Sequence, residues 1–516
     1  MSRFAKVGAS TFFIVLFSLG GKLLGFIREV LIASKFGSGI ETDAYFIALT
    51  ATGIATMLLW TAINTTLVPI FSEVEHKEGE DKKIFHANNM INVILIISAI
   101  ITLVGWIAAP LLVRLIAIGF EGQQFELAVA MTRIGFPKLL FTGAIGVLSA
   151  FLHSEGKFKS ASSIYIFSSL VTITYLLFFS AKFGILGLMV ASLFAVAVQL
   201  PVLLPEAIKS KYKYQFVLDI KDKYIHKLGY LVFPVLLGTA INEINIIVDR
   251  TIASSLVSGS ISSLTYASKL NNLILGVFIT AITTVIFPIL SKESNTGNTD
   301  GLKRIMGYGI NLILLISIPA AVGLILLAKP IVEIAFQRGQ FDASATIMTS
   351  AALIFYSLGL VSMALRLLIT RVYYSLQDTK TPTINSAIAV AFNIVLNLIL
   401  VRFMAYAGLA LATSIATTIA TFLMFIGLRK KIGTLGLKSS VICGLKATFA
   451  AMIMGAFSYF SYYGLYNALG YGKVNSLISF AVAAGLGALL YGLLCYVFGT
   501  EEVKIVVDKA LKKVYY

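Results

Sequence analysis

The nine residues Thr61-Ala-Ile-Asn-Thr-Thr-Leu-Val-Pro69 return as Thr280-Ala-Ile-Thr-Thr-Val-Ile-Phe-Pro288, 219 residues further on. The next apolar stretch keeps the same step: Ile91-Asn-Val-Ile-Leu-Ile-Ile-Ser98 matches Ile310-Asn-Leu-Ile-Leu-Leu-Ile-Ser317. Ile32-Ala-Ser34 and Gly39 match Ile252-Ala-Ser254 and Gly259 at 220, as Pro110 matches Pro330. Ser154 and Lys159 match Ser375 and Lys380 at 221. Apolar segments resemble one another by chance, so one pair means little. Matches in one order at one offset mark an internal duplication.

What is duplicated follows from the apolar runs. A membrane helix needs about 20 mostly apolar residues, and the chain carries fourteen such runs, the first from near Ser10 and the last from near Val474. Arg3 and Lys6 precede the first run as in a signal peptide, but it lacks a small-residue cleavage site and is too long, so it reads as a retained span. Each repeat then holds six spans. Six is even, so both copies enter the membrane from the same side, as in the parallel repeats of secondary transporters. Channels and membrane enzymes also carry repeats. The expected fold is an all-α polytopic membrane protein with about 14 transmembrane helices, in two parallel six-helix lobes plus two C-terminal helices. Residues 1–208 form the first lobe, 209–228 a basic cytoplasmic linker and 229–431 the second lobe. Two extra helices occupy 432–500, and a cytoplasmic amphipathic tail occupies 501–516.

Composition agrees. Of 516 residues 58% are hydrophobic and 13% charged, against roughly 25% charged in a soluble domain. An ordinary soluble enzyme is excluded, and two cysteines exclude a disulfide scaffold. The net charge of +17 invites a nucleic-acid reading. Position removes it. Twenty-seven of the 41 Lys and Arg fall in segments on the side of the termini, seven in the opposite loops and seven inside spans. That bias places both termini in the cytoplasm and suits anionic inner-leaflet lipid. Nucleic acid is not a partner. The loop from Ser72 to Asn88 mixes signs and reads as solvated surface. The four histidines lie in or beside cytoplasmic loops without metal-ligand spacing, and no phosphate-cradling loop is present.

A charge at the bilayer centre costs at least ~2.5–3.5 kcal/mol on insertion scales, so each is a functional candidate. The first span carries Lys22, Arg28 and Glu29. The seventh carries Asn242, Asn245 and Asp249 on one stripe, with Glu243 and Arg250 on another. Lys269 lies in the eighth. Lys22, Arg28 and Lys269 facing a common cavity suit an anionic substrate, above all a phosphate or diphosphate. Arg133, Lys138, Arg250 and Arg366 read equally well as structural ion pairs or snorkelling side chains.

Thr42-Asp-Ala-Tyr-Phe-Ile-Ala48, Tyr266-Ala-Ser-Lys269 and Tyr374-Ser-Leu-Gln-Asp-Thr-Lys-Thr-Pro382 followed by Asn393 resemble signatures of the MurJ (MviN) family, within the MOP exporter superfamily. The resemblance covers the whole chain. It implies a flippase, not an enzyme, that moves undecaprenyl-diphosphate-linked peptidoglycan precursor across a bacterial inner membrane, with the last two helices forming a groove for the lipid tail. It places the family's cavity cations on Lys22, Arg28 and Lys269 and its acidic residue on Asp43, with Glu29 beside Arg28. A second-span arginine usual in the family falls near Thr56. Members with a sodium site use residues matching Asp249, Asn393, Asn397 and Thr413, with an acid more usual at Asn397. The driving force is thus a sodium ion or the membrane potential, with no other cofactor. Expected partners are the lipid-linked saccharide, anionic lipids and cell-wall synthesis proteins. The rival functions are export of another polyprenyl-diphosphate-linked glycan, drug/cation antiport, and glycosyl transfer. Antiport predicts an acid-lined cavity, and glycosyl transfer a catalytic acid on a long outer loop.

Overall fold

Lipid supplies no hydrogen bonds, so an apolar segment must pair its backbone within itself, and a helix does so. The computed structural model describes the backbone of residues 3–505, and the side chains of that span except 3–16, 18, 19, 234, 237–239, 241 and 242. It is helical almost throughout. The expected tail lies outside the described residues from 506 on, as does the side chain of Asn242.

In chain order the helices are α1 Arg3–Phe36, α2 Ile40–Glu78, α3 Glu80–Ile107, α4 Ala109–Ile116, α5 Gly122–Gly135, α6 Lys138–Ser154, α7 Lys159–Phe178, α8 Ser180–Ala197, α9 Gln199–Lys209 and α10 Lys223–Ser254. There follow α11 Ser260–Ile274, α12 Thr280–Asn295, α13 Thr299–Leu326, α14 Ala328–Phe336, α15 Ala343–Leu358, α16 Leu360–Ser375, α17 Lys380–Ile432, α18 Lys438–Leu469 and α19 Lys473–Val497. The duplication is visible in this order. Helices with an internal proline, α2 (Pro69) and α12 (Pro288), each precede a long helix, a short one (α4, α14) and a broken pair (α5 and α6, α15 and α16).

Among the described residues ten helical stretches are long and apolar enough to cross a membrane, or eleven if the α15–α16 pair, bent by 47°, is one span. The count is below the fourteen expected. One reason is α17, a single 53-residue stretch that contains two expected spans and breaks at Ala405 (φ 48, ψ −132). Another is that α1 and α10, whose side chains are described only in part, are not among the ten.

The chain divides into two compact units, residues 1–262 with 338–341, and residues 263–337 with 342–516. In the first unit α1 packs on α7, and α2 on α5, α6 and α10. Ile63, Leu67, Phe71, Met90, Ile145 and Phe151 form its buried centre. In the second unit α18 packs on α13 and α19, with Tyr462 against Ala483 and Leu327.

Two segments between spans are more ordered than their composition suggests. Glycine at 79 (φ 88) separates α2 from α3, so the segment read as solvated is helical on both sides of that break. Lys83 is fully buried there, paired with Glu75 at 2.7 Å and with Glu155, its ammonium 4.9 Å from the Phe151 ring. Residues 211–222 of the linker run as an extended strap beside α3. Asn88, Asn92 and Asn89 donate to the carbonyls of Lys213, Val217 and Asp219 at 2.8–2.9 Å. Their amide oxygens accept from Tyr212, Tyr214 and the Asp219 amide. Among the described residues the strap has no neighbouring strand, and these side-chain amides pair its peptide groups instead. His86 Nδ1 lies 2.6 Å from Asp222 Oδ2 at the end of the strap.

Candidate functional site

Lys22, Arg28 and Glu29 all lie on α1. Lys22 is exposed. Arg28 Nη2 donates to Glu29 Oε1 at 2.9 Å, and the Glu29 side chain is 6% exposed against 30% for Arg28. The carboxylate thus holds one edge of the guanidinium while the rest reaches the surface of the unit, where it can take an anion.

Asp43 sits elsewhere. It is 2% exposed and accepts three hydrogen bonds from one turn: Gly259 N at 2.7 Å, Ser262 N at 2.8 Å and Ser262 Oγ at 2.7 Å. These amides belong to the first turn of α11, where backbone donors have no partner within the helix. Ser38 Oγ donates to the Gly259 carbonyl at 3.1 Å, and Arg250 Nη1 to that of Ile261 at 3.0 Å. The Asp43 carboxylate thus holds the 259–262 turn. Arg250 acts on the same turn.

Two glycine contacts lie in the same unit. Gln340 N donates to the Ser34 carbonyl at 2.9 Å, and Gly339 (φ +58) packs so closely that an added Cβ would stand 2.1 Å from that oxygen. Gly119, 220 residues before Gly339, repeats the arrangement on Ser254, the repeat mate of Ser34. Its amide donates to Ser254 Oγ at 3.2 Å, and a Cβ there would stand 2.3 Å from the Ser254 carbonyl.

Lys269 lies on α11 in the second unit and is exposed. Asn393, Asn397 and Thr413 lie on the two sides of the α17 break and form one cluster. Asn397 Nδ2 donates to Asn393 Oδ1 at 2.8 Å, and Asn393 Nδ2 to Thr413 Oγ1 at 3.2 Å. Asp249 lies in the first unit, where Asn245 Nδ2 reaches it at 3.5 Å. Asn393, Asn397 and Thr413 supply neutral oxygens, and that of Asn393 already accepts from Asn397. Among the described residues no group of three or more His, Cys, Asp or Glu could hold a metal. Arg366 donates to Ser386 Oγ at 2.8 Å, and Arg133 stacks over Trp106 at 4.9 Å, both as structural side chains do.

Residues 32–498 match the family described as lipid II flippase MurJ. The chain belongs to the MurJ family. A probable lipid II flippase MurJ of Vibrio cholerae is 32% identical over 431 residues, 80% of this chain and 81% of that protein. The lipid II flippase MurJ of Burkholderia cenocepacia is 27% identical over 80% of this chain and 82% of its own length. A solved lipid II flippase MurJ in an inward closed conformation superposes with a TM-score of 0.79 at 28% identity, over 94% of this chain and 98% of that one. A MATE multidrug transporter of the MOP superfamily shares the fold, with a TM-score of 0.71 at 16% identity over 81% and 96%.

The MurJ signature around Asp43 is a packing element. Thr42, Asp43, Ala44, Tyr45, Phe46 and Ile47 are all buried, and the Thr42 hydroxyl accepts from Gly39 N at 3.1 Å to close the start of α2. Sequence reading missed the Ser262 and Gly259 partners, the two glycine contacts and the asparagine-held strap. The glycine pair left a trace in the sequence, the 220-residue step that Gly119 and Gly339 share with the rest of the duplication, and Gly259 left another as the repeat mate of Gly39.

Proposed function

We propose that this chain carries lipid II from the inner to the outer leaflet of the bacterial inner membrane for peptidoglycan synthesis, by alternating access of its two repeats. It moves its substrate without transforming it. The observation that carries the reading is family membership over residues 32–498, with a half-exposed, acid-held Arg28 on α1. Lys22, Arg28 and Lys269 hold the diphosphate, Glu29 fixes the Arg28 guanidinium, and Asp43 fixes the 259–262 turn. Both termini are cytoplasmic, and the lysines of the inner loops rest on anionic lipid. The membrane potential drives the cycle without a bound cofactor. Cell-wall synthesis proteins take the product.

The test is complementation of cells depleted of their own lipid II flippase. The wild-type chain restores growth, whereas Arg28→Ala and Lys269→Ala, expressed to the same level, do not. Full rescue by both variants overturns the assignment of these cations. No rescue by the wild type favours a second reading, export of another polyprenyl-diphosphate-linked glycan. Thr56, neutral where the family resemblance places an arginine, is the observation behind it.

A further inference from the structure

Among the described residues two lysines in the first unit are buried, and they differ in one respect. Lys83 has two carboxylates and a ring face, as a buried ammonium requires. Lys138 is 7% exposed, and among the described residues its Nζ has one hydrogen-bond partner, the Met189 thioether at 4.0 Å. A thioether is a weak acceptor. No carboxylate among the described residues lies within ion-pairing distance of Lys138, and the charge that reaches it is another cation, Arg28.

Lys138 lines an open cleft of about 330 Å³ formed by residues of α2, α6, α7 and the α8–α9 segment. That is far more than the ~30 Å³ share of one water molecule. The cavity is amphipathic, with Thr52, Thr56, Thr142 and Gln199 beside Leu49, Met57 and Ile145. The three threonine hydroxyls donate to carbonyls one turn back, at 2.8–2.9 Å, so their hydrogens are committed. Trp60 and Tyr165 add N–H and O–H donors to the wall. Lys138 is also the first residue of α6, and Pro137 at the break after α5 makes this a true helix start. The Leu139 and Leu140 amides at this start already donate to the Phe136 and Pro137 carbonyls, so the ammonium is the cation that α6 offers the cavity.

We propose that this cavity is an oxyanion site, taking a phosphate or carboxylate group on the Lys138 ammonium. It lies inside one unit and stands whether or not the chain moves lipid II. The oxyanion comes either from solution or from the headgroup of a lipid, and the two sources separate by experiment.

The full-length protein is placed in nanodiscs of zwitterionic lipid, and its melting point is followed against inorganic phosphate and, separately, against undecaprenyl diphosphate. At least one probe raises the melting point of the wild type and of Lys138→Arg. Lys138→Met melts at the same or a higher temperature without anion, because an uncompensated buried charge is gone, and its apparent affinity falls at least tenfold. Loss of the inorganic phosphate response identifies a solution anion, and loss of the lipid response alone identifies a headgroup. In the Lys138→Met background, Thr56→Lys returns a cation to the cavity from α2 and restores the response. The proposal is overturned if neither probe shifts the wild type, or if the shifts persist undiminished in both Lys138→Met and Lys138→Gln. Failure of the flippase reading shows in complementation and leaves these melting shifts in place.

Discussion

Asp43 spends its carboxylate on one turn of backbone, and that choice fixes what its replacement does. Alanine at this position strips the Gly259 and Ser262 amides and the Ser262 hydroxyl of their acceptor. A lost cap of this kind costs about 2 kcal/mol. The Asp43→Asn variant keeps one acceptor oxygen and loses about half as much, so thermal unfolding should rank wild type, Asp43→Asn and Asp43→Ala in that order. Asp378, between α16 and α17, gives a pH-dependent counterpart outside the membrane. Burial alone would raise its carboxyl, but the Lys431 ammonium and the Thr381 amide and hydroxyl outweigh that and hold it at about 2. A depressed folded-state value means stabilisation present above the ordinary carboxylate value and lost as pH falls through the folded one. The melting point should therefore drop between about pH 4 and pH 2, and less steeply in Asp378→Asn. The charges inside spans were legible residue by residue, because any ion among apolar neighbours is conspicuous. Their partners were not. Nor were the partners of charges outside the spans: Asp43 meets Ser262 219 positions away, and Lys83, in the loop read as solvated, meets Glu155 72 positions away.

Elements depend on the same kind of distant pairing. The apolar runs and the duplication gave the helices, because period and length are local properties. The strap of residues 211–222 was read only as basic linker, since nothing within it announces an asparagine ladder on α3 more than 120 positions earlier. Replacing Asn88 and Asn92 together by alanine removes four hydrogen bonds, each worth about 1 kcal/mol. The strap should then open more often, and trypsin should cleave at Lys213 and Lys221 at least tenfold faster while the rest of the chain stays resistant. The α17 break was legible as two spans but not as a broken single helix, because Ala405 carries no glycine or proline to mark a positive φ.

At the scale of the whole molecule, the family and its fold were legible from the signatures and the repeat, and the driving force was not. The neutral cluster of Asn393, Asn397 and Thr413 makes a definite prediction. Exchanging sodium for choline at constant ionic strength should leave the melting point unchanged, and a clear sodium-dependent rise would assign the cluster to a cation after all. The duplication has a further practical consequence, in the two glycine contacts. Ser34 with Gln340 and Ser254 with Gly119 are two addresses for one kind of event, written by the same ancestral turn. Cys443 and Cys495, the only native thiols, are 5% and 0% exposed and so stay silent to aqueous reagents. A cysteine pair introduced at either address, where the backbones already touch, becomes a chemical clock. The rate at which each pair crosslinks reports how often that contact closes, and comparing the two rates tells whether the duplicated halves keep time with one another.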